Sequence, residues 1–402
     1  MTKNEDISKL DTINIGIVGH IDHGKTTLLQ RLSGKWADTH SEELKRGITI
    51  KLGYADAIVR EDGDTLTVDK TSTGKAIKYI TFVDAPGHEM LMATMLSGAA
   101  IIDAAILVIS ASEGIKPQTS EHLVALKAKK ISNIIIVQNK IDLVSKEMAL
   151  KSYKEIKEFV KGTIAENSPI IPISATQGVN LNKVLEEICK IKIEKPKKGE
   201  KPIFLVARSF DINKPGTAIK DLHGGVLGGA LKSGTLKIGD TIEVKPGYSY
   251  KKQDQYIYKT VKSEIVSMQK GDYQIKVATP GGSLAIETNL DPSITKADAL
   301  SGSVVSLEGV LPEIQENIEM KFTLFDEVFG TGSHEPVQNL KLDEMLMLSL
   351  DTTITVGRIS KISGDVVSLN LKIPVVPLKG ESIGIARNMN GHWRLIGFGE
   401  IA

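Results

Sequence analysis

The segment GHIDHGKTTLLQRL, residues 19–32, constrains the fold of this chain more than any other stretch. It follows the apolar run INIGIV and leads into helical spacing at 26–33, so it joins a strand to a helix. Four residues occupy the fixed positions of the pattern G-x-x-x-x-G-K-[ST]: Gly19, Gly24, Lys25 and Thr26. Between a strand and a helix, this pattern predicts a loop that binds the phosphates of a nucleotide.

The chemistry of such a loop explains its residue types. Glycines let the backbone close around phosphate oxygens without clashes from Cβ atoms, and unpaired N–H groups at the helix start point inward. Lys25 supplies positive charge for the β- and γ-phosphates, and the Thr26 hydroxyl is a ligand for Mg²⁺. Asp22, His23 and Thr27 lie in the same loop and are expected to contact the nucleotide. Asp22 is also a weaker candidate for binding a metal ion or positioning water in catalysis.

Residues 13–190 alternate apolar runs with segments of helical spacing. The predicted strands lie at 13–18, 79–83, 104–109, 133–138 and 169–173. The predicted helices lie at 26–33, 89–99, 118–129, 145–161 and 181–190. Each run is apolar on both faces, as expected for strands covered by helices on both sides. The alternation predicts an α/β domain with a doubly wound, mostly parallel sheet.

The second half of the chain has a different pattern. The stretch at 190–202 has no apolar face and indicates a linker, with a basic nucleic-acid contact as the alternative. From residue 203 onward, alternating apolar residues and recurrent Gly-containing turns predict all-β barrels or sandwiches. A turn-rich break near 309–315 divides this region in two. The expected domains are therefore three: 1–200, 201–312 and 313–402.

The residues NKID, which follow the strand NIIIVQ, predict guanine as the base. They lie at the carboxyl edge of the sheet, where ligands bind in α/β folds. The Asp142 carboxylate can accept hydrogen bonds from guanine N1–H and the exocyclic amine, which adenine does not offer. Asn139 can bond both the base and the phosphate loop, and the Lys140 stem can lie over the ring.

A second motif strengthens the guanine prediction. The residues SAT end the next predicted strand as Ser174, Ala175 and Thr176. The backbone N–H of Ala175 is placed to donate to the guanine O6. Because both motifs follow strands of one parallel sheet, they predict GTP and GDP as the ligands.

The motif DAPGH at 84–88 predicts a sensor of the terminal phosphate. Asp84 can hold a water bound to Mg²⁺, and the Gly87 N–H can bond the γ-phosphate. His88 can orient the attacking water as the catalytic residue; contact with neighbouring loops is the alternative. In RGITI, Thr49 offers two further oxygen ligands for Mg²⁺. No arginine is evidently placed to stabilise the transition state, so we expect slow hydrolysis that a partner stimulates.

Composition limits the remaining classes. The 402 residues carry a formal net charge of +1, so the whole chain shows no excess of positive charge for nucleic acid. A single cysteine, Cys189, excludes an internal disulfide and any zinc site made of cysteines alone. The N-terminal residues lack a signal-peptide core, and the longest apolar stretch is interrupted by Asp103. We expect a cytoplasmic protein with no membrane partner.

These motifs occur in the order and spacing of translational GTPases, and the two β domains resemble those of elongation factor Tu. More specifically, nearly the whole chain resembles the gamma subunit of archaeal and eukaryotic translation initiation factor two. The stretches that carry this resemblance include KRGITIKLGYADA, DAPGHEMLMATMLSGAAIIDAAILVISA, RSFDINKPGT, LDPSITKADALSGSVV and HWRLIGFGEI. The resemblance implies an α/β P-loop GTPase domain followed by two all-β barrel domains.

The resemblance also implies a function and partners. These are GTP-dependent binding of methionylated initiator tRNA, delivery to the small ribosomal subunit, and hydrolysis of GTP to GDP as a switch. It implies a heterotrimer, with an alpha subunit on the second domain and a beta subunit on the GTPase domain. For the tRNA, Tyr54 is the candidate contact, either stacked on the terminal adenine or lining the methionine pocket; a packed strand tyrosine is the alternative. Trp393 and Arg394 are expected in barrel packing and at the barrel surface, with RNA contact as the alternative.

One stretch departs from the family pattern. Such gamma subunits commonly carry a cysteine-paired zinc knuckle just before the DAPGH strand, whereas residues 60–78 here contain no cysteine. We therefore expect no zinc, and a shorter hairpin or a flexible loop in its place.

Other functions remain open. The selenocysteine-specific elongation factor shares the first three domains, although its relatives usually carry a further C-terminal domain. A metabolic GTPase, as in the GTPase subunit of sulfate activation, would need a catalytic partner enzyme. A scaffold with a vestigial nucleotide site is disfavoured, because the phosphate, magnesium and guanine motifs are all present.

Overall fold

The computed structural model describes residues 7, 10–34, 53–84, 92–193, 197, 199–253, 255–329 and 335–401, with the backbone alone for 92–95. These residues form one seven-stranded sheet with helices, followed by two β-barrels. The predicted fold class is therefore confirmed.

The first unit is built on a mixed sheet. Its strands are β1 Asp11–Gly19, β2 Gly53–Asp62, β3 Thr65–Thr67, β4 Lys75–Asp84, β5 Ala104–Ser110, β6 Ile134–Asn139 and β7 Ile170–Pro172. They lie in the order β3-β2-β4-β1-β5-β6-β7. The central strands β4, β1, β5, β6 and β7 are parallel, and all residues of β5 and β6 are buried. This burial explains why both faces of these strands are apolar.

Five helices accompany the described part of this sheet. They are α1 Lys25–Ser33, α2 Met92–Ala99, α3 Pro117–Ala128, α4 Lys146–Phe159 and α5 Leu181–Lys190. Their ends follow local chemistry. Gly34, with φ of 69°, ends α1 by donating its N–H to the Gln30 carbonyl, and the Ser145 hydroxyl accepts from Met148 at the start of α4.

The edge of the sheet differs from the predicted set of five strands. Strand β2 is antiparallel to β4, and the turn after Asp62 returns the chain as β3. The buried and half-buried residues of β2 alternate, as expected for an antiparallel strand near the sheet edge, and do not form a continuous apolar run. The stretch 60–78 thus contains the hairpin that was one of its two expected forms.

The first barrel follows at residue 203. Its main strands are β8 Ile203–Phe210, β9 Val226–Ser233, β11 Thr241–Lys252, β12 Gln255–Lys270, β15 Ser283–Thr288 and β16 Val304–Leu307. Shorter elements are β10 Leu236–Lys237, β13 Tyr273–Ile275, β14 Val277–Ala278 and α6 Pro292–Thr295. The order β11-β16-β8-β9-β15-β12 closes through pairing of β11 with β12.

The second barrel is also closed. Its strands are β17 Gln315–Leu324, β20 Met345–Leu350, β21 Thr353–Ser363, β22 Val366–Val375, β23 Ser382–Met389 and β24 His392–Ile401, with β18 Glu327–Val328 and β19 Glu335–Pro336 beside it. One buried cluster joins the three units, since it includes Leu107 and Leu126 of the α/β unit, Leu205 of the first barrel and Leu395 of the second. The site therefore sits on a unit that both barrels contact.

Candidate nucleotide site

The carboxyl edge of the parallel strands brings the predicted motifs together. The phosphate loop follows β1, Asp84 ends β4, Asn139 ends β6, and Ser174 lies just after β7. In the sheet, β1 is the neighbour of β4, β6 is the neighbour of β7, and only β5 separates β1 from β6. Motifs that are far apart in sequence thus meet at one ligand-binding edge.

The two loop glycines adopt conformations that other residues rarely take. Gly19 has φ of 140° and a Cβ there would collide with the Val108 carbonyl; Gly24 has φ of 90° and a Cβ would collide with the Asn139 side chain. The Lys25 ammonium is held inside the loop, 2.9 Å from the Gly19 carbonyl oxygen and 2.8 Å from that of His20. The loop is therefore tight and carries a positive charge at its centre.

His23 and Asp22 occupy different environments. The His23 ring is buried, with Nδ1 3.2 Å from the Val108 carbonyl, and burial lowers the pKa of its imidazole to about 4. The ring is therefore neutral at pH 7, and it lies in the protein interior. Asp22 lies exposed at the tip of the loop with φ of 61°, and its neighbour Thr27 is partly exposed on the first turn of α1.

Two oxygen-bearing side chains meet where a metal ion would be expected. The Thr26 hydroxyl donates to Asp84 Oδ2 over 3.3 Å, and Asp84 is fully buried. A hydroxyl and a carboxylate are hard oxygen donors of the kind that Mg²⁺ prefers, so this donor set fits the ion. Among the described residues, no group of three or more His, Cys, Asp or Glu side chains is arranged to hold a metal.

Asn139 connects the three parts of the site. Its Nδ2 donates to the His23 carbonyl over 2.9 Å, and its Oδ1 accepts from the Ala175 N–H over 3.0 Å. Both bonds are buried, so the asparagine ties the phosphate loop to the SAT segment. The Ala175 N–H that was expected to reach the guanine O6 is donated to Asn139 in this structure.

The other base-recognition residues surround this asparagine. Lys140 has φ of 63° and its ammonium pairs with Glu113 at 3.0 Å, while the Asp142 carboxylate is exposed in the short helical turn that follows. Ser174 is buried and its hydroxyl accepts from the Gln177 N–H; the Thr176 carbonyl accepts from Arg31 over 2.5 Å. The predicted residues are therefore collected at one edge, with Asp142 open to a ligand.

Helix α3 contributes site residues that the sequence alone did not reveal. His122 Nδ1 accepts the Gly19 N–H over 2.8 Å, and Gln118 Oε1 accepts the Ile21 N–H over 3.4 Å. Burial lowers the pKa of His122 to about 3, so its ring is a neutral acceptor. A histidine and a glutamine on a predicted helix carry no local motif; only the helix's position behind the loop gives them this role.

The residue between these two links the site to the second barrel. Glu121 and Arg394 form a buried ion pair between α3 and β24. The expectation that Arg394 lies at the barrel surface is wrong, because the α/β unit covers that side of the barrel. Helix α3 thus contacts the phosphate loop through one face and the second barrel through another.

Several predicted residues lie elsewhere. Thr49, Gly87 and His88 are outside the described residues. Tyr54 lies on β2, partly exposed, with a buried hydroxyl that has no hydrogen-bond partner in the described part of the chain. Burial raises the pKa of the Tyr54 hydroxyl, and Arg208 of the first barrel is among the charged groups near it. No described helix has the length and apolar character to cross a bilayer.

Two family models match the chain. One, described as the Elongation factor Tu GTP binding domain, matches residues 10–193. The other, described as Initiation factor eIF2 gamma, C terminal, matches residues 316–401. Together they cover most of the α/β unit and the second barrel.

Individual proteins are similar over nearly the full length. The chain is 48% identical to translation initiation factor 2 subunit gamma of Methanococcus maripaludis, covering 98% of this chain and 99% of that protein. The same subunit of Methanocaldococcus jannaschii is also 48% identical, with 98% of each covered. A bacterial selenocysteine-specific elongation factor EF-Sec superposes with a TM-score of 0.77 at 26% identity over 98% of this chain, which spans 58% of that one.

Proposed function

This chain belongs to the gamma subunits of translation initiation factor 2, and from that premise we propose that it binds methionylated initiator tRNA when GTP is bound and delivers it to the small ribosomal subunit. It is a translational GTPase of initiation that hydrolyses GTP to GDP and phosphate. The proposal extends this activity to its cargo, its partners and the residues that carry it.

The nucleotide contacts are proposed at the carboxyl edge. They comprise Gly19, Asp22, His23, Gly24, Lys25, Thr26, Thr27, Gly87, Asn139, Lys140, Asp142, Ser174, Ala175 and Thr176. Mg²⁺ would be held by Thr26 and Asp84, with Thr49 and Asp22 as further ligands, and would neutralise charge on the β- and γ-phosphates when bound. His88, with Asp22 as a weaker candidate, is proposed to orient the attacking water.

The observation that supports the nucleotide part of this proposal is the Asn139 bridge. One side chain bonds both the phosphate loop and the SAT segment, at 2.9 and 3.0 Å. A ligand that contacts the loop and the base-recognition residues at once is therefore held against a single pre-organised unit. Occupation of the phosphate end is then coupled to the position of the base.

The domain organisation and partners follow the same premise. We propose domains at 1–200, 201–312 and 313–402; the strands of the first barrel end at Leu307 and those of the second begin at Gln315. An alpha subunit is proposed on the second domain and a beta subunit on the first. Tyr54, which lies on β2 near Arg208 of the first barrel, is proposed at the tRNA terminus.

Binding to defined tRNAs tests the proposed cargo. The chain is mixed with methionyl-initiator tRNA, methionyl-elongator tRNA or deacylated initiator tRNA, each with a non-hydrolysable GTP analogue or with GDP. We expect the first tRNA with the GTP analogue to bind at least about tenfold more tightly than any other combination. Equal affinity for charged and deacylated initiator tRNA would refute the proposal.

Matched variants assign the effect to the site. Lys25→Ala is expected to remove the dependence on nucleotide, because it removes the charge inside the loop. Lys154→Ala removes an exposed lysine of α4 and is the control. A selenocysteine-type carrier, which the superposition with EF-Sec favours as second candidate, would instead prefer selenocysteyl-tRNA in the same assay.

A further inference from the structure

The hairpin between β11 and β12 extends beyond the first barrel. These strands have 12 and 16 residues, but only Ile242–Lys245 of β11 pairs with β16, and only residues between Ile265 and Gln269 of β12 pair with β15. The two strands continue to pair with each other from Tyr248 opposite Lys259 to the turn. In the described part of the chain, residues 248–253 and 255–259 therefore form a two-stranded ribbon with no third strand.

Tyrosines are concentrated in this ribbon. It holds four of the eight tyrosines of the chain: Tyr248, Tyr250, Tyr256 and Tyr258. Three of them are well exposed, at 36%, 39% and 61% for Tyr248, Tyr250 and Tyr256. A tyrosine ring is large and apolar, and exposing several of them without a covering element is unusual for a surface that binds nothing.

The rings lie on both faces of the ribbon. Tyr248 and Tyr250 are two residues apart on one face, with ring centroids 6.2 Å apart and an interplanar angle of 22°. Tyr256 pairs with Lys251 and Tyr258 with Ser249, so both face the opposite side. Flat aromatic surfaces are thus presented in two directions, next to lysine side chains.

The ribbon and its base carry a net positive charge. Residues 246–262 contain four lysines, one aspartate, and no arginine or glutamate, in a chain whose total net charge is +1. Lys262 at the base pairs with the exposed Glu308. Lys251, Lys252 and Lys259 are exposed along the ribbon. The positive charge of this region is therefore local and lies beside the rings.

This combination favours one class of partner. Tyrosine is enriched in protein interfaces, but lysine is depleted there and arginine is the usual cation. Lysines that contact phosphates, with aromatic rings on which bases stack, are the pattern of proteins that bind single-stranded nucleic acid. A duplex hides the faces of its bases, so only unpaired nucleotides can stack on such rings.

We propose that this ribbon, residues 248–253 and 255–259, binds an unpaired segment of RNA other than the cargo tRNA, with bases stacked on its tyrosines and phosphates on its lysines. The far end of β12 lies against the α/β unit, where Tyr273 just after it contacts Tyr79 with ring centroids 6.4 Å apart. From Tyr258 to Lys270 the strand has a length of about 40 Å, and it is the far end of this strand, not the ribbon, that lies against the sheet carrying Tyr54. The inference does not depend on the identity of the cargo.

Fluorescence anisotropy of a labelled 12-nucleotide oligouridylate tests the stacking. The full chain is used with GDP, and a 12-base-pair RNA duplex is the comparison. We expect Tyr250→Leu/Tyr256→Leu to bind the oligouridylate about tenfold more weakly, because leucine keeps the apolar area but offers no stacking face. Tyr250→Phe/Tyr256→Phe, which keeps the rings, is expected to bind within about twofold of the unaltered chain.

The salt dependence of binding tests the lysines. Lys251→Gln/Lys252→Gln is expected to reduce the slope of log affinity against log salt by about 1.4, or about 0.7 for each phosphate that a lysine no longer neutralises. Lys154→Gln/Lys157→Gln, which removes the same charge from the exposed face of α4, is expected to leave the slope unchanged.

Four outcomes would overturn the proposal. They are unchanged binding by the leucine pair, equal affinity for the duplex, complete competition by initiator tRNA under GDP, and leucine-pair variants that lose affinity only for the alpha or beta subunit. The third outcome would place the ribbon in the cargo site, and the fourth would make it a protein interface. Ultraviolet crosslinking of the oligouridylate, followed by peptide mapping, must also locate the contact within 248–259.

Discussion

The hydrogen bond between helix α3 and the phosphate loop makes a quantitative prediction. His122 is 4% exposed, and its Nδ1 accepts the Gly19 N–H over 2.8 Å. Burial lowers the pKa of the imidazole to about 3, so the ring is neutral across the physiological range and remains an acceptor. The variant His122→Leu keeps a side chain of similar bulk and removes only the acceptor.

The expected effect follows from the buried N–H that this change leaves without its acceptor. Leaving a buried N–H without a hydrogen-bond acceptor costs about 1–3 kcal/mol of free energy. The loop that contains this N–H is proposed to hold the nucleotide phosphates, so part of the cost is expected to appear as weaker binding. If half of a cost of about 3 kcal/mol is expressed there, GDP and GTP bind about tenfold more weakly. Both nucleotides are expected to be affected alike, because the loop is proposed to hold phosphates that GDP and GTP share.

Dissociation of a fluorescent GDP analogue measures this effect. His122→Asn is the control, because its side-chain oxygen can replace Nδ1 as the acceptor, and it is expected to stay within about threefold of the unaltered chain. If the leucine variant binds both nucleotides as tightly as the unaltered chain, the bond does not position the loop. If asparagine and leucine weaken binding equally, ring volume and not the acceptor is what matters.

Two further predictions concern the contact with the second barrel. Arg394→Met is expected to lower stability by about 3–5 kcal/mol, because the buried Glu121 loses its ion-pair partner, and Glu121→Met/Arg394→Met should recover much of that loss in thermal melts. Equal losses in the single and double variants would contradict this. Burial, with the charge of Glu381, raises the pKa of Asp351 from 3.8 to about 7. A raised pKa gives stability that is full below pH 3.8 and is lost as pH rises towards 7, so Asp351→Asn should flatten the fall in melting temperature between pH 4 and 7; parallel profiles would refute it.

Much of the site could be predicted because its signals are local. The phosphate loop needs glycine at two backbone positions with positive φ, Gly19 and Gly24. Both glycines belong to the four-residue pattern that is visible in the sequence. The parallel strands are apolar on both faces, and each predicted run lies within an observed strand or overlaps most of one. Motifs that follow such strands are bound to meet at one edge, so the order of strands and helices along the chain was enough to place Asp84 and Asn139.

Other features carry no local signal. Strand β2, next to the edge strand β3, alternates buried and half-buried residues, and its position was set by pairing with β4 and not by its own pattern. The donor that Ala175 was expected to offer a base is held by Asn139, a residue 36 positions earlier. Arg394 has the sequence context of a barrel strand, and only the packing of α3 against that barrel turns it into a buried ion-pair partner.

The amino-acid sequence alone determined the fold class, the nucleotide loop and the family of this chain, because each depends on residues that are neighbours or periodic along the backbone. The tertiary structure decided which side chains support the loop and which surface remains uncovered. His122 lies 103 residues from the glycine that it holds, and the tyrosine ribbon stands out only because no third strand pairs with it in the described chain. Contacts of this kind depend on how helices and barrels pack, and packing is a property of the whole molecule and not of any segment.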